Sequence, residues 1–218
     1  MKKVFFKMSI MTLLAVFTLT VVPQVAYAQK VNMQLQKQLN KEYKSTLKRF
    51  QKEGWKLSGS SRSIEVVLLT HYEKLNDEKN KEIVGQVSQC QSINICSQFA
   101  LNNAQVKYAK LASAKLSGSV ATMQRGDAIK KEEVDKFIGA YETAVEADVS
   151  SALTPSFSIV KDNKDGTKSY ETYFILDEEK AGIARKRAFE QSLKETGILL
   201  KEMDEVGKFV KETVEIAE

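Results

Sequence analysis

The chain has 218 residues, 43% of them hydrophobic and 28% charged, with a formal net charge of +5. That length suffices for one domain with a real core and some extra helix. Residues 1–28 hold three of the 33 basic residues (Lys2, Lys3, Lys7) and none of the 28 acidic ones, so the remainder is nearly neutral. It lacks the basic excess that a nucleic-acid partner needs to neutralise phosphates.

The chain opens MKKVFFKMSIMTLLAVFTLTVVPQVAYAQK. The lysines form a positive start, Ile10–Val22 is an apolar stretch broken only by threonines, and Pro23 is expected to end any helix there. Ala26 and Ala28 supply the small residues that a signal peptidase reads. The pattern predicts a secretory signal peptide over residues 1–28, cleaved between Ala28 and Gln29. A retained anchor is the weaker reading, because the apolar run falls short of the ~20 residues a bilayer span needs. No other apolar run approaches that length, and no cysteine stands near the cleavage position, so the lipidation signal of a bacterial lipoprotein is missing. The expected location is the periplasm or outer surface of a bacterial cell.

Val31–Glu53 reads as an amphipathic helix, with Leu35, Leu39, Tyr43, Leu47 and Phe50 at three- and four-residue steps. Gly54 stops it, and "WKLSG" follows as a short extended piece. Serines 60, 61 and 63 offer an N-cap to a second helix, which puts Ile64, Val67, Leu68, His71 and Leu75 on one face. Lys81–Ser88 predicts a strand with Ile83, Gly85 and Val87 on one side. A long helix from Cys96 to about Gln124 carries a stripe of Ala100, Ala104, Tyr108, Leu111, Ala112 and Leu116. Its alanines let it lie close against a sheet or another helix. "RGD" at 125–127 reads as a plain turn. A further helix reaches about Ala152 with Val134, Phe137, Ile138, Tyr141, Val145 and Val149 as its stripe.

Phe157–Lys161 and Ser169–Leu176 predict strands joined by "DNKDG", a hairpin with turn-forming residues. The acids in that turn miss the alternation of a calcium loop. The last helix starts near Asp177. Its stripe of Phe189, Leu193, Thr196, Leu200, Met203, Gly207, Val210 and Val214 carries it as far as Val214 in a heptad seam. A helix of that length needs a partner beyond the sheet, either the N-terminal helix or another subunit. "ARKRAF" on it reads as a solvated face. The organisation expected is a signal peptide over 1–28, an N-terminal helical segment over 29–80, and an α+β domain over 81–218. The order is α-α-β-α-α-β-β-α around a small, about three-stranded, antiparallel sheet.

Little in the chain has the pattern of a reactive site. His71, the one histidine, sits on an apolar helix face, where it reads as a satisfied, partly buried residue, since no motif gives it a nucleophile and an orienting acid. Cys90 and Cys96, the two cysteines, admit a thiol site with His71, a metal site, unpaired structural thiols or a disulfide. One histidine with two cysteines is a thin metal-ligand set. A disulfide needs only an oxidising compartment, which the signal peptide supplies, and Cα atoms within about 7 Å. We expect the disulfide, and no metal or cofactor. Phosphate-binding glycine loops, dinucleotide fingerprints and nucleophile elbows are absent from the sequence.

Three stretches, "KEGWKLSG", "ALNNAQVKYAKLASAKLSGSV" and "SFSIVKDNKDGTKSYETYFILDEEKAGIARKRAFEQSL", resemble in this order secreted proteins of unknown function from Bacteroides-type bacteria. The alanine-patterned helix and closing hairpin are similar to the domain of the small twenty-kilodalton surface lipoproteins, which recurs in flagellar accessory proteins. The resemblance spans about Lys52–Leu193. It implies a strand, two helices, a hairpin and a final helix, and it carries no catalytic residues.

The function expected is a non-enzymatic, exported envelope protein acting through protein–protein contact or self-association along its C-terminal helix. The alternatives are a binding module for a small apolar or glycan ligand, lined by Trp55, Tyr170 and Tyr173, and a secreted hydrolase.

Overall fold

The computed structural model describes residues 22–123 and 130–197. Its helices are α1 (Val22–Glu53), α2 (Ile64–Lys74), α3 (Ile93–Met123), α4 (Lys131–Asp148) and α5 (Glu178–Thr196). Its strands are β1 (Lys56–Ser58), β2 (Asn80–Cys90), β3 (Leu153–Asp162) and β4 (Lys168–Asp177), and a 3-10 turn, Val149–Ala152, leads into β3. The fold is α+β with an antiparallel sheet in the order β1-β3-β4-β2. Compact units divide inside α1, between Thr46 and Leu47. Leu47 to residue 80, expected within an N-terminal helical segment, thus contributes β1 and α2 to the unit that holds the sheet.

The sheet has four strands where about three were expected. The fourth is the "WKLSG" piece, whose Lys56, Leu57 and Ser58 pair with Val160, Ile159 and Ser158. The order is therefore α-β-α-β-α-α-β-β-α. Three residues with no local hairpin partner carry almost no strand signal of their own, because the pairing is made a hundred residues away.

Two helix boundaries also differ. α1 begins at Val22, ahead of the expected Val31, and Pro23 lies in its first turn. A first-turn proline loses no intrahelical hydrogen bond. α5 ends at Thr196, short of the expected Val214. Gly197 adopts a left-handed conformation (φ 65°) and its N–H donates to the Leu193 carbonyl at 3.0 Å, an αL cap that closes the helix. Leu200, Met203, Gly207, Val210 and Val214 lie outside the described residues, as do the leader 1–21 and the RGD turn. Other ends follow local chemistry. Ser63 caps α2 by accepting from the Val66 N–H, and Asp177 caps α5 by accepting from Glu179 and Lys180.

Side chains alternate along the strands, so the pairing register assigns the two faces. On one face Ile83, Phe174 and Leu176 join Tyr108, Leu116, Phe137, Tyr141, Val145 and Phe189 of α3, α4 and α5 in the main core. Burying a Phe or Leu contributes about 1.5–3 kcal/mol, so this cluster dominates the stability. On the same face Gly85 lies opposite Thr172, Thr172 opposite Ser158, and Ser158 opposite Ser58. This row of small residues lets α3 descend onto the sheet. An added Cβ on Gly85 would stand 1.8 Å from the Ala100 carbonyl oxygen, so that position takes glycine only. The alanine stripe read from the sequence faces the sheet as expected, with Ala100 and Ala104 fully buried.

Candidate functional site

The opposite face of the sheet carries a gathering of polar side chains. Glu82, Gln86, Glu171 and Tyr173 share it by parity, since Gln86 pairs with Glu171, and Val84 between them pairs with Tyr173. Leu68 and His71 of α2 and Phe50 near the end of α1 are fully buried. Phe157 stacks on Tyr173 with ring centroids 4.4 Å apart, and Phe50 meets both rings edge-on.

Within this aromatic setting the polar groups are tied in two sets. Arg49 donates to the Tyr173 hydroxyl and, at 3.4 Å, to Glu171. The Tyr173 hydroxyl donates to Glu171 at 2.8 Å, and Gln86 donates to the other Glu171 oxygen at 3.2 Å. Burial, then the Glu171 carboxylate, raise the Tyr173 pKa well above the usual phenol value. In the second set His71, fully buried, approaches Glu82 with Nε2 at 2.5 Å from the carboxylate. A carboxylate only accepts, so Nε2 is the donor. Nδ1 is buried and has no hydrogen-bond partner among the described residues. Edge-on rings of Tyr72, Phe157 and Tyr173 surround the imidazole.

Among the described residues neither His71 nitrogen meets a hydroxyl or a thiol: Nε2 is held by Glu82 and Nδ1 makes no hydrogen bond. His71 is more deeply buried than the sequence implied, and its acid partner, Glu82, lies eleven residues away on a neighbouring strand.

A second polar group lies inside the main core. Arg185 is buried, with Nη1 2.7 Å from the Glu178 carboxylate and donating to the Tyr108 hydroxyl. Burial works against the charged guanidinium, but Tyr108 and Glu178 outweigh it and hold its pKa above the ordinary value. Tyr108 is pushed up to about 12, chiefly by burial. The expected solvated face of "ARKRAF" therefore fails at Arg185. The legible signal was spacing: Glu178, Ala181, Ala184, Arg185, Ala188 and Ser192 recur at helical steps on one side of α5, and none is exposed. Between α3 and α4, Glu142 accepts from the Ser113 hydroxyl at 2.6 Å.

The cysteines form the expected clasp. Cys90 and Cys96 are disulfide-bonded, with Cα atoms 5.6 Å apart, between the end of β2 and the first turn of α3. They pack with Ala100 and Tyr170 in a small satellite core. Tyr170 is thereby on the helical face of the sheet, while Tyr173 is on the other. Three residues along a strand is an odd step, so these tyrosines cannot line one pocket. Trp55 lies beside β1, its ring under the Lys161 ammonium at 4.7 Å and its Nε1 donating to Glu53 at 2.9 Å. The proposed lining of Trp55, Tyr170 and Tyr173 is not brought together. Ala28 and Gln29 lie in α1. The "DNKDG" turn uses its acids locally, Asp165 accepting from the Thr167 N–H and hydroxyl and Asp162 from the Lys168 ammonium. Among the described residues no group of three or more metal-ligating side chains occurs.

Together these features define an α+β domain of a sheet covered on both faces, with interior polar groups engaged in structural pairs and one disulfide corner. Comparison with protein-family models, with curated proteins and with solved structures returns no match. Among the described residues no helix is long and apolar enough to cross a membrane.

Proposed function

We propose that this is an exported cell-envelope protein that works by protein–protein contact or assembly and catalyses no reaction. The observation that carries the reading is the disulfide Cys90–Cys96 in a chain that begins with a signal-peptide pattern. Disulfides form and persist in oxidising compartments, the same destination the leader specifies. The interior chemistry agrees: His71 is fastened to Glu82, and Arg185 to Glu178 and Tyr108, as buttresses of the fold. The resemblance to secreted Bacteroides-type proteins and to the small surface lipoproteins supports the same location.

Fractionation of the native cell tests it. The protein belongs in the periplasmic or envelope fraction, shortened to begin at Gln29, and recovered in cross-linked complexes. A full-length chain confined to the cytosol would refute it.

A further inference from the structure

We propose that α1 lays its lysine face on an anionic phospholipid surface. The inference rests on the export read above, which carries the chain into the envelope, and names a partner there.

From Gln29 to Glu53 the sequence has seven basic residues and two acidic ones, while the chain beyond Glu53 has 23 and 26. The basic excess is therefore held in one helix. Lys37, Lys41, Lys44, Lys48 and Lys52 follow one another at three- and four-residue steps in α1, and all are exposed. At about 100° per residue they fall within about 80° of the helix circumference and extend over about 22 Å. The apolar stripe of the helix is on the other side, where Leu39, Tyr43 and Leu47 are partly buried and Phe50 fully so. Arg49, off the lysine line, donates to Tyr173 and Glu171.

Solubility alone does not account for this line. Several lysines elsewhere meet acids, as in Lys79–Glu179 at 2.6 Å, Lys168–Asp162 at 2.5 Å and Lys186–Glu190 at 3.9 Å. On the α1 face each lysine has another lysine one turn along, and no acid stands three or four residues from any of them within the helix. Like charges at these steps destabilise a helix. A surface of opposite charge removes that repulsion. Met33, 56% exposed and four residues before Lys37, adds an apolar side chain on the same side that can enter the headgroup boundary.

A line of charges along one helix face can reach a flat surface together, and lysines are point charges that ask no fixed geometry of the partner. A basic amphipathic helix of this kind suits anionic lipid. A nucleic acid needs a wider basic face, and the chain beyond Glu53 has an acidic excess. Cleavage between Ala28 and Gln29 would leave this helix at the start of the exported chain.

Co-sedimentation of the purified protein with phospholipid vesicles tests the proposal. The expected result is binding to vesicles that contain phosphatidylglycerol, none to pure phosphatidylcholine, and weakening as salt rises. Lys37→Gln, Lys41→Gln and Lys44→Gln should each weaken binding by about fivefold, and together by about a hundredfold. Their melting temperatures should not fall, since the substitutions remove like-charge neighbours. Lys131→Gln with Lys136→Gln, both exposed on α4, should leave binding intact. A wild-type protein that ignores phosphatidylglycerol vesicles at low salt would overturn the proposal, as would a triple variant that binds like wild type. Binding to duplex DNA or to an acidic protein, without binding to vesicles, would overturn it equally. Binding is read on purified protein, so its failure leaves export standing, while a failure of export shows in fractionation alone.

Discussion

Replacing Gly85 by alanine adds one methyl group and tests how closely α3 lies on β2. The new Cβ would fall 1.8 Å from the Ala100 oxygen and 2.6 Å from its carbonyl carbon. Both atoms are backbone, so no side chain can rotate away. Restoring van der Waals contact requires α3 to lift by roughly 1.5 Å, an overpacking strain at the upper end of the 1–3 kcal/mol range. That lift also loosens Ala100 and Ala104 from the sheet. We expect a loss of about 3 kcal/mol in urea unfolding and a fall in Tm of about 6–12 °C. The matched control is Gly139→Ala in α4, where an added Cβ meets nothing within 4 Å. There alanine should stabilise by about 0.5–1 kcal/mol, through helix propensity alone. If Gly85→Ala unfolds within about 0.5 kcal/mol of wild type, a shift typical of unstrained surface positions, the close approach of α3 to the sheet is refuted.

Arg185→Ala should cost about 3–5 kcal/mol, because it removes the buried guanidinium that pairs with the Glu178 carboxylate. Arg185→Met combined with Glu178→Leu should recover most of that loss in the same unfolding assay. Cys90→Ser with Cys96→Ser should lower stability by about 2 kcal/mol, the value for so short a loop, relative to the oxidised protein. Tyr108 holds its proton up to about 12, through burial first, with Arg185 opposing and Glu178 adding. Its folded pKa lies above the unfolded value near 10, so its contribution to stability is complete below about pH 10. That contribution is lost as pH rises toward 12, and tyrosinate absorbance should rise together with unfolding there.

The sequence disclosed most of what local pattern can disclose. The alanine stripe of α3, the DNKDG hairpin, the Ser63 cap and the cysteine clasp each rest on residues close in the chain. What it hid depends on distance or on a break in pattern. β1 is a strand only because Val160 lies beside it. Gly197 ends α5 while the apolar period runs on past it in the sequence, so periodicity alone could not show the stop. Tyr170 and Tyr173 are a different case, since the parity of a strand separates them and that rule was available. The polar set around Glu171 was invisible for a physical reason: Arg49, Gln86 and Glu171 come from three elements, and none carries a local signal. His71 stood out as the lone histidine, yet only folding brings Glu82 to it.

The export claim at the centre of this account is tested most directly by intact-mass spectrometry of the native protein, before and after reduction. The account predicts a chain that begins at Gln29, gains two hydrogens on reduction, and shows no free thiol beforehand. A chain that still begins at Met1, with Cys90 and Cys96 both free, would contradict it.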